Sequence, residues 1–216
     1  MYKRQIINKD LKIPAFTAEH EEDAYFIFPS DATLYGLMPH AHYRGKTGMF
    51  RLVRINGTEE VLLSVPNYDF NWQRVYLMEK PVQVHAGDRL SYFSTFDNSL
   101  SNSANPDPAQ VVKWGEQSFE EMLYGGFLFS WSGETFDDIK HDKQLMLVSH
   151  IIGYKDINRD GLVQRKELPL GLRLASFGRF GKFDKNRDGG WSAAETSAFI
   201  TWIQSVKWLR PFLNNV

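Results

Sequence analysis

Between about Ala24 and Trp131 the apolar residues arrive in short alternating runs: AYFIF, FRLVRI, EVLLSV, RLSYFSTF and GGFLFSW. Alternation with a period of two sends every second side chain to one face, the signature of half-buried strands. Turn chemistry separates the runs, in PSD, NGT, HAGD and the long polar DNSLSNSANPDPA, and Asn56-Gly57 predicts a hairpin turn of type I′. No helical period intervenes, so this region predicts an antiparallel β-sandwich or jelly roll. After about Thr135 the period changes. DKQLMLVSHIIGY and SAAETSAFITWIQSVKWL read as helices, the second opened by Ser192 as N-cap with Glu195 completing a capping box. The expected class is mainly β with a small C-terminal α-helical part. TFDDIKHD is the junction, dividing the chain into 1–136 and 137–216.

The helical part contains a repeat. DINRDGLVQRKE runs from Asp156 to Glu167, and DKNRDGGWSAAE follows 28 residues later, from Asp184 to Glu195. Both have Asp, Asn and Asp at positions one, three and five, Gly at six and Glu at twelve, which is the EF-hand calcium loop. Calcium takes six to eight hard oxygens at roughly 2.3–2.6 Å, and twelve residues can wrap them around it only by turning sharply at a glycine. The expected ligands are Asp156, Asn158, Asp160, the Leu162 carbonyl and Glu167 in one loop. In the other they are Asp184, Asn186, Asp188, the Gly190 carbonyl and Glu195. Val163 and Trp191, at position eight, are placed to form the short β contact that joins paired loops. The connector LPLGLRLASFGRFGKF is broken by Pro169 and three glycines, and the helical region holds only Met146. Both features favour a structural module over a sensor with a methionine-rich groove.

Composition narrows the chemistry of the β region. With 216 residues, 43% hydrophobic and 14% aromatic, the chain can bury a sizeable core. A formal net charge of -1 offers no basic excess for nucleic acid. No window reaches transmembrane length, and MYKRQIINKD lacks an apolar run of signal-peptide length. The chain is therefore expected to be soluble, whole or as the mature part of something longer. Cysteine is absent, so any metal must be held by His, Met and oxygen ligands. LMPHAHYRGK places His40 and His42 two apart, and on a strand both would point the same way, about 6–7 Å apart. They read either as a metal-ligating pair or as polar residues of a half-exposed strand. Arg44 and Lys46 read as an exposed basic corner, with steering of an anion as the alternative. Asn67, Tyr68, Asp69 and Asn71 read as turn formers, or as partners for a histidine's second nitrogen.

LMPHAHYRGK, LLSVPNYDFNWQRVY and FDNSLSNSANPDPAQVVKWGEQSFEEMLYG together resemble the C-terminal copper domain of the copper type II, ascorbate-dependent monooxygenases, the family of peptidylglycine hydroxylase, and most closely its bacterial relatives. The resemblance spans roughly Ile13 to Trp131 and rests on an H-x-H strand followed some eighty residues later by EEM. It implies a jelly-roll sandwich holding one copper on His40, His42 and Met122, where oxygen is activated. Two imidazoles and a thioether are ligands that favour Cu(I). Met38 and Met49 are rival sulfur donors.

Departures qualify what the resemblance implies. Peptide-processing members anchor substrate with an arginine, an asparagine and a tyrosine, where this chain has Met38, Tyr124 and Gly126. A glycine-extended peptide is therefore not the expected substrate. The family's second, all-histidine copper domain has no counterpart here, since only His20 precedes the pair. The expectation is half of a two-copper enzyme plus two calcium ions. It would hydroxylate an unidentified small molecule with molecular oxygen, its electron-transfer partner lying upstream or on a separate chain, in an extracytoplasmic (periplasmic or secreted) setting. A non-catalytic copper- and calcium-holding sandwich for assembly, adhesion or metal handling is the alternative. A carbohydrate platform of Trp72, Trp114 and Tyr124 is a third.

Overall fold

The computed structural model describes residues 1–135, 143–168 and 170–213. The expected junction at 136–142 and the connector residue Pro169 lie outside them. The chain divides into two compact units, Met1–Lys140 and His141–Val216.

The first unit is antiparallel β structure. Its strands are β1 (Tyr2–Ile7), β2 (Lys12–Ile13), β3 (His20–Ile27), β4 (Ala32–His40), β5 (Gly45–Val53), β6 (Glu59–Val65), β7 (Tyr76–Val84), β8 (Arg89–Phe96), β9 (Val112–Lys113) and β10 (Tyr124–Trp131). One four-stranded sheet has the order β1-β10-β4-β7 and the other β3-β8-β5-β6, with β2 and β9 paired separately. Alternation decides what each strand buries. Phe50 and Leu52 of β5, Leu90, Tyr92 and Phe96 of β8, and Phe127 and Phe129 of β10 are all within 1% of full burial. Side chains of the two sheets meet there: Phe26 of β3 lies 5.2 Å from Phe127 of β10, and Phe28 packs edge-on to Phe127, Phe129 and Trp131. A Cβ on Gly125 would fall 2.6 Å from the Tyr92 ring, so β10 approaches β8 as closely as glycine allows.

Strand β4 carries an irregularity that matters for the site. Leu34 pairs with Phe129 and Gly36 with Leu128, which leaves Tyr35 as an extra residue. Alanine 32 and Leu34 are buried, and strict alternation would continue inward through Gly36, Met38 and His40. The bulge resets the phase. Leu37 and Pro39 turn to the interior, and Met38 and His40 to the opposite face. On the other side of β4, strand β7 pairs Val82 with Leu34 and Leu77 with Gly36, so Met78–Pro81 arch out across from Tyr35.

The hairpin turn at INGT differs from the type I′ expectation. Only Gly57 has a positive φ there, 84°, and Gly57 N–H donates to Arg54 at 2.8 Å. The chain turns through Ile55 and Asn56 and then uses Gly57 as the left-handed residue of a bulge, the three-residue alternative.

The second unit comprises α1 (Lys143–Lys155), β11 (Val163–Gln164), α2 (Leu170–Ala175), α3 (Phe180–Phe183), β12 (Gly190–Trp191), α4 (Ala193–Ser205) and a 3₁₀ turn at Arg210–Leu213. Ser192 caps α4, and both bonds of the capping box with Glu195 are present. The core gathers Val148, Ile151 and Ile152 of α1 with Trp191, Phe199, Ile200 and Ile203, all at most 1% exposed. Trp191 stacks on Phe180 at 4.5 Å and donates its Nε1–H to that residue's carbonyl at 3.0 Å.

Candidate metal centre

His40 is the last residue of β4, and His42 lies beyond it in the connection to β5. The pair is thus not the expected two same-face positions of one strand. The chain turns after His40, and the turn brings the rings to 5.2 Å centroid to centroid, nearly perpendicular. The Tyr124 ring packs 5.4 Å from His40, its cross-strand neighbour, and Phe70 packs 6.1 Å from His42.

Each imidazole is oriented through Nδ1. His40 Nδ1 lies 2.5 Å from Gln73 Oε1, and His42 Nδ1 lies 3.3 Å from the Glu120 carbonyl. Both partners are acceptors, so each favours the tautomer that carries the proton on Nδ1, the form whose Nε2 lone pair can take a ligand. Burial lowers both histidines below the ordinary value, opposed at His40 by the Gln73 bond and at His42 by the backbone carbonyls of Glu120 and Gln117. Neutral imidazole is the metal-binding form.

Met122 precedes Leu123 and β10. The β4–β10 register ends where Tyr124 pairs with His40, and beyond it the backbone N–H groups of Met122 and His42 donate to the same Glu121 carboxylate oxygen. Of the rivals, Met38 shares the outer face of β4 with His40 and pairs with Gly126. Met49 pairs with Phe93 and Ser64 within the other sheet.

Two side chains surround this turn in roles the sequence reading did not assign: Tyr68, read there as a turn former or a partner of a histidine nitrogen, and Glu121 of EEM. The Tyr68 hydroxyl accepts from Ala41 N–H at 3.0 Å and donates to Ala41 C=O at 2.7 Å. The Glu121 carboxylate, wholly buried, accepts from the backbone N–H of His42, from Arg44 at 2.9 Å and from Met122 at 2.9 Å. Burial pushes the Glu121 carboxyl up to about 7 against those donors. Arg44 is not the exposed corner expected, since it is only 2% exposed. Its guanidinium donates to Asn98 Oδ1 and to the Phe119 carbonyl, both at 2.9 Å. Lys46 pairs with Glu19. Asp69 and Asn71 form a turn, with Asn71 N–H donating to Asp69 Oδ1 at 2.8 Å, and Gln73 takes the histidine-orienting role considered for them. Trp72 lies exposed beneath Arg74, Trp114 bridges to Glu121, and Tyr124 covers His40, so the three serve different contacts.

Two clefts flank the His40–Arg44 turn, neither of them lined by His40, His42 or Met122. One of about 440 Å³ is lined by Arg44, Val112, Lys113, Phe119 and Glu120 among others. The second, about 280 Å³, includes Pro39, Tyr68, Trp72 and Tyr76.

The two acidic loops of the second unit repeat the same bonds from backbone N–H groups to the side chains at positions one, three, five and twelve. Gly161 and Gly189 have φ of 83° and 92°, and Arg159 and Arg187 both 60°. Val163 pairs with Trp191 and Gln164 with Gly190. Glu167 accepts from Ile157 N–H at 3.2 Å and Gln164 N–H at 2.9 Å. Glu195 accepts from Lys185 N–H at 2.7 Å and Ser192 N–H at 3.0 Å. Burial raises Glu195, but its donors outweigh it and leave the carboxyl below its ordinary value. Asp156 and Asp184 accept from Gly161 and Gly189, Asp160 and Asp188 from Leu162 and Gly190, and Asn158 and Asn186 from Asp160 and Asp188. Asp184 is 8% exposed, and its Oδ1 is buried without a hydrogen-bond partner. Among the described residues no three His, Asp or Glu side chains converge on one point as a metal cage.

A family model described as copper type II ascorbate-dependent monooxygenase, C-terminal domain, matches residues 8–123, over half of the chain. No curated protein matches. Among solved structures, the D431N mutant VP2 protein of infectious bursal disease virus is similar at 8% identity and a TM-score of 0.28, covering 64% of this chain and 34% of that one. Dimeric latent PorU from Porphyromonas gingivalis is similar at 11% identity and a TM-score of 0.21, over 58% and 12% of the two chains. The chain thus spans about a third or less of these structures. Likenesses this distant carry no argument about fold or function.

Proposed function

Because the chain belongs to the family of copper type II ascorbate-dependent monooxygenase C-terminal domains, we propose that its first unit is the oxygen-binding copper half of an oxidoreductase, with one copper held by His40, His42 and Met122. The observation that carries this reading is the paired imidazoles 5.2 Å apart, each with Nδ1 engaged by an acceptor and Nε2 left as the donor atom. Two neutral imidazoles and a thioether suit Cu(I), while hard cations would reject the sulfur. Bound there, copper would supply the activation of molecular oxygen. The chain's own groups orient the imidazoles, keep them unprotonated by burial, and cover one side of His40 with the Tyr124 ring. The facing sheets are read as a jelly-roll sandwich that fixes these positions.

The substrate in this reading is a small molecule hydroxylated at a C–H bond. Met38, Tyr124 and Gly126 offer no cation for a peptide carboxylate. The electron is expected from a second copper domain, upstream or separate, and the setting is extracytoplasmic. No described helix is long and apolar enough to cross a membrane.

Copper titration tests the assignment. Cu(I) is expected to bind at one per chain, with two nitrogen neighbours and one sulfur neighbour in X-ray absorption. Met122→Ile removes the sulfur, and His40→Ala or His42→Ala abolishes tight binding. If both histidine variants bind as the wild type does, the site lies elsewhere. Affinity is also expected to fall as pH drops through the histidine range, because protons then compete for Nε2.

For the second unit we propose two structural calcium ions, one in each loop, making residues 137–216 an EF-hand module. The support is the duplicated left-handed turns, the Val163–Trp191 pairing and the unpartnered Asp184 Oδ1. The carboxylates now engage the loops' own N–H groups, so binding requires them to turn inward. Calorimetry after chelator treatment is expected to give two calcium ions per chain. Glu167→Gln or Glu195→Gln should weaken its own site, because each glutamate supplies two ligand oxygens. A stoichiometry of zero in the wild type ends this reading.

The substitutions at the peptide-anchoring positions favour one alternative, a non-catalytic copper- and calcium-holding module. Turnover separates the two readings. Ascorbate-driven hydroxylation after addition of a second copper domain supports the enzyme, and copper binding without turnover across a substrate panel supports the module.

A further inference from the structure

We propose that Tyr68 and Glu121 are the positioning residues of the metal centre, acting as two clamps on the backbone of the His40–Arg44 turn without touching the metal. This rests on the copper reading of His40, His42 and Met122. Ala41, the residue between the histidines, is 1% exposed. Its N–H and C=O would both lack partners but for the Tyr68 hydroxyl, which reaches them from 27 residues away. A buried peptide group without a partner is costly. The phenol therefore fixes the peptide planes on both sides of Ala41, and with them the relative orientation of the two rings.

Glu121 fixes the other half. One oxygen accepts from His42 N–H and Met122 N–H, and the other from Arg44 N–H. One carboxylate, 79 residues from His42, thus ties the histidine turn to the segment that supplies the sulfur. The tie is reinforced by Arg44, whose guanidinium donates to the Phe119 carbonyl, and by the His42 bond to the Glu120 carbonyl. Both clamps are anchored. Tyr68 N–H donates to the Lys46 carbonyl at 2.9 Å, and Glu121 N–H to that of Lys113 at 3.3 Å. A Cβ on Gly45 would fall 2.5 Å from Ala41 Cβ and 2.8 Å from the Tyr68 ring, so turn and phenol are packed without slack. Ligands held this way need little rearrangement on binding, which is where such supporting contacts raise metal affinity.

The test compares Tyr68→Phe and Glu121→Gln with the wild type, all in the full chain. Tyr2→Phe is the control, since it deletes a hydroxyl bonded to Glu134 on a residue paired with Phe129, toward the opposite end of β10 from Tyr124. Cu(I) affinity is measured by chelator competition, and the Cu(II) form by electron paramagnetic resonance. Tyr68→Phe and Glu121→Gln are each expected to weaken copper about ten- to a hundredfold and to broaden the resonance by allowing several ring arrangements. Stoichiometry should stay at one, and the control should bind as the wild type does. Tyr68→Phe removes a single atom and keeps the ring, so it answers the question even if Glu121→Gln does not fold. Wild-type affinity and an unbroadened resonance in Tyr68→Phe overturn the clamp while leaving the copper site standing. A wild type that binds no copper overturns both.

Discussion

Asp88 is 1% exposed, yet its carboxylate accepts from His85 N–H at 2.9 Å, Ile55 N–H at 3.1 Å and the Arg54 guanidinium at 2.9 Å. Burial pushes this carboxyl up, but the donors outweigh burial and hold it below its ordinary value. The sign of the pH effect follows. Its contribution is present above the unfolded-state value near 4 and is lost as pH falls through the lower folded-state value. Asp88→Ala should cost about 3 kcal/mol at neutral pH, and the gap to the wild type should narrow in acid. Urea unfolding of both proteins at pH 7 and near pH 3 measures it. Asp88 sits in HAGD, which reads from sequence as a turn and nothing more, because what makes it matter is Arg54, 34 residues away. The same limit applies at the proposed metal centre. H-x-H is visible as a motif, whereas Tyr68 and Glu121 acquire their roles only when distant segments close on Ala41 and His42.

At the scale of elements, alternation found β3, β5, β6, β8 and β10. It did not find β4, whose alternation is interrupted by the bulge at Tyr35. It also missed β1, where only Ile6 and Ile7 of YKRQII are buried, and β7, whose residues are mostly exposed. These two are edge strands with one neighbour each, so neither needs a continuous apolar face. The histidine argument put both imidazoles on one face of a strand, whereas the bulge in β4 and the turn after His40 set the ring positions. Glycine spacing also hides a packing constraint. Gly125→Ala drives a Cβ to within 2.6 Å of Tyr92, a fully buried ring, and should cost about 1–3 kcal/mol through overpacking. Thermal unfolding of the metal-free variant checks this, and a loss below about 0.5 kcal/mol would mean that β8 and β10 can separate freely. In the second unit the capping box at Ser192 was legible because both members lie within four residues. So was the Val163–Trp191 pairing, because the repeat imposes it.

Over the whole chain, the periodicity changes after about Thr135, and the two compact units divide between Lys140 and His141, each with its own buried apolar residues. The proposed copper residues all lie within Met1–Lys140, and the proposed calcium residues all lie within His141–Val216. The expected consequence is segregation of the two ions' effects. In amide spectra of the labelled protein, calcium should shift signals from 156–167 and 184–195 strongly and leave those of His40, Ala41 and His42 in place. Cu(I) should do the reverse. A strong calcium shift at Ala41 would contradict separate ion sites.

The arch in β7 bears on how the protein behaves when crowded. The outer side of this strand is a row of backbone groups that another chain's strand could template on, the usual route from a stray sheet edge to a fibril. Here the row is broken midway. Met78–Pro81 leave the line of the strand where they pass Tyr35, Glu79 and Lys80 stand exposed, and Pro81 has no N–H to offer. An incoming strand would find no continuous register to copy. Pro81→Val together with Lys80→Thr should therefore leave the folded protein intact while shortening the lag of thioflavin-positive aggregation on prolonged agitation.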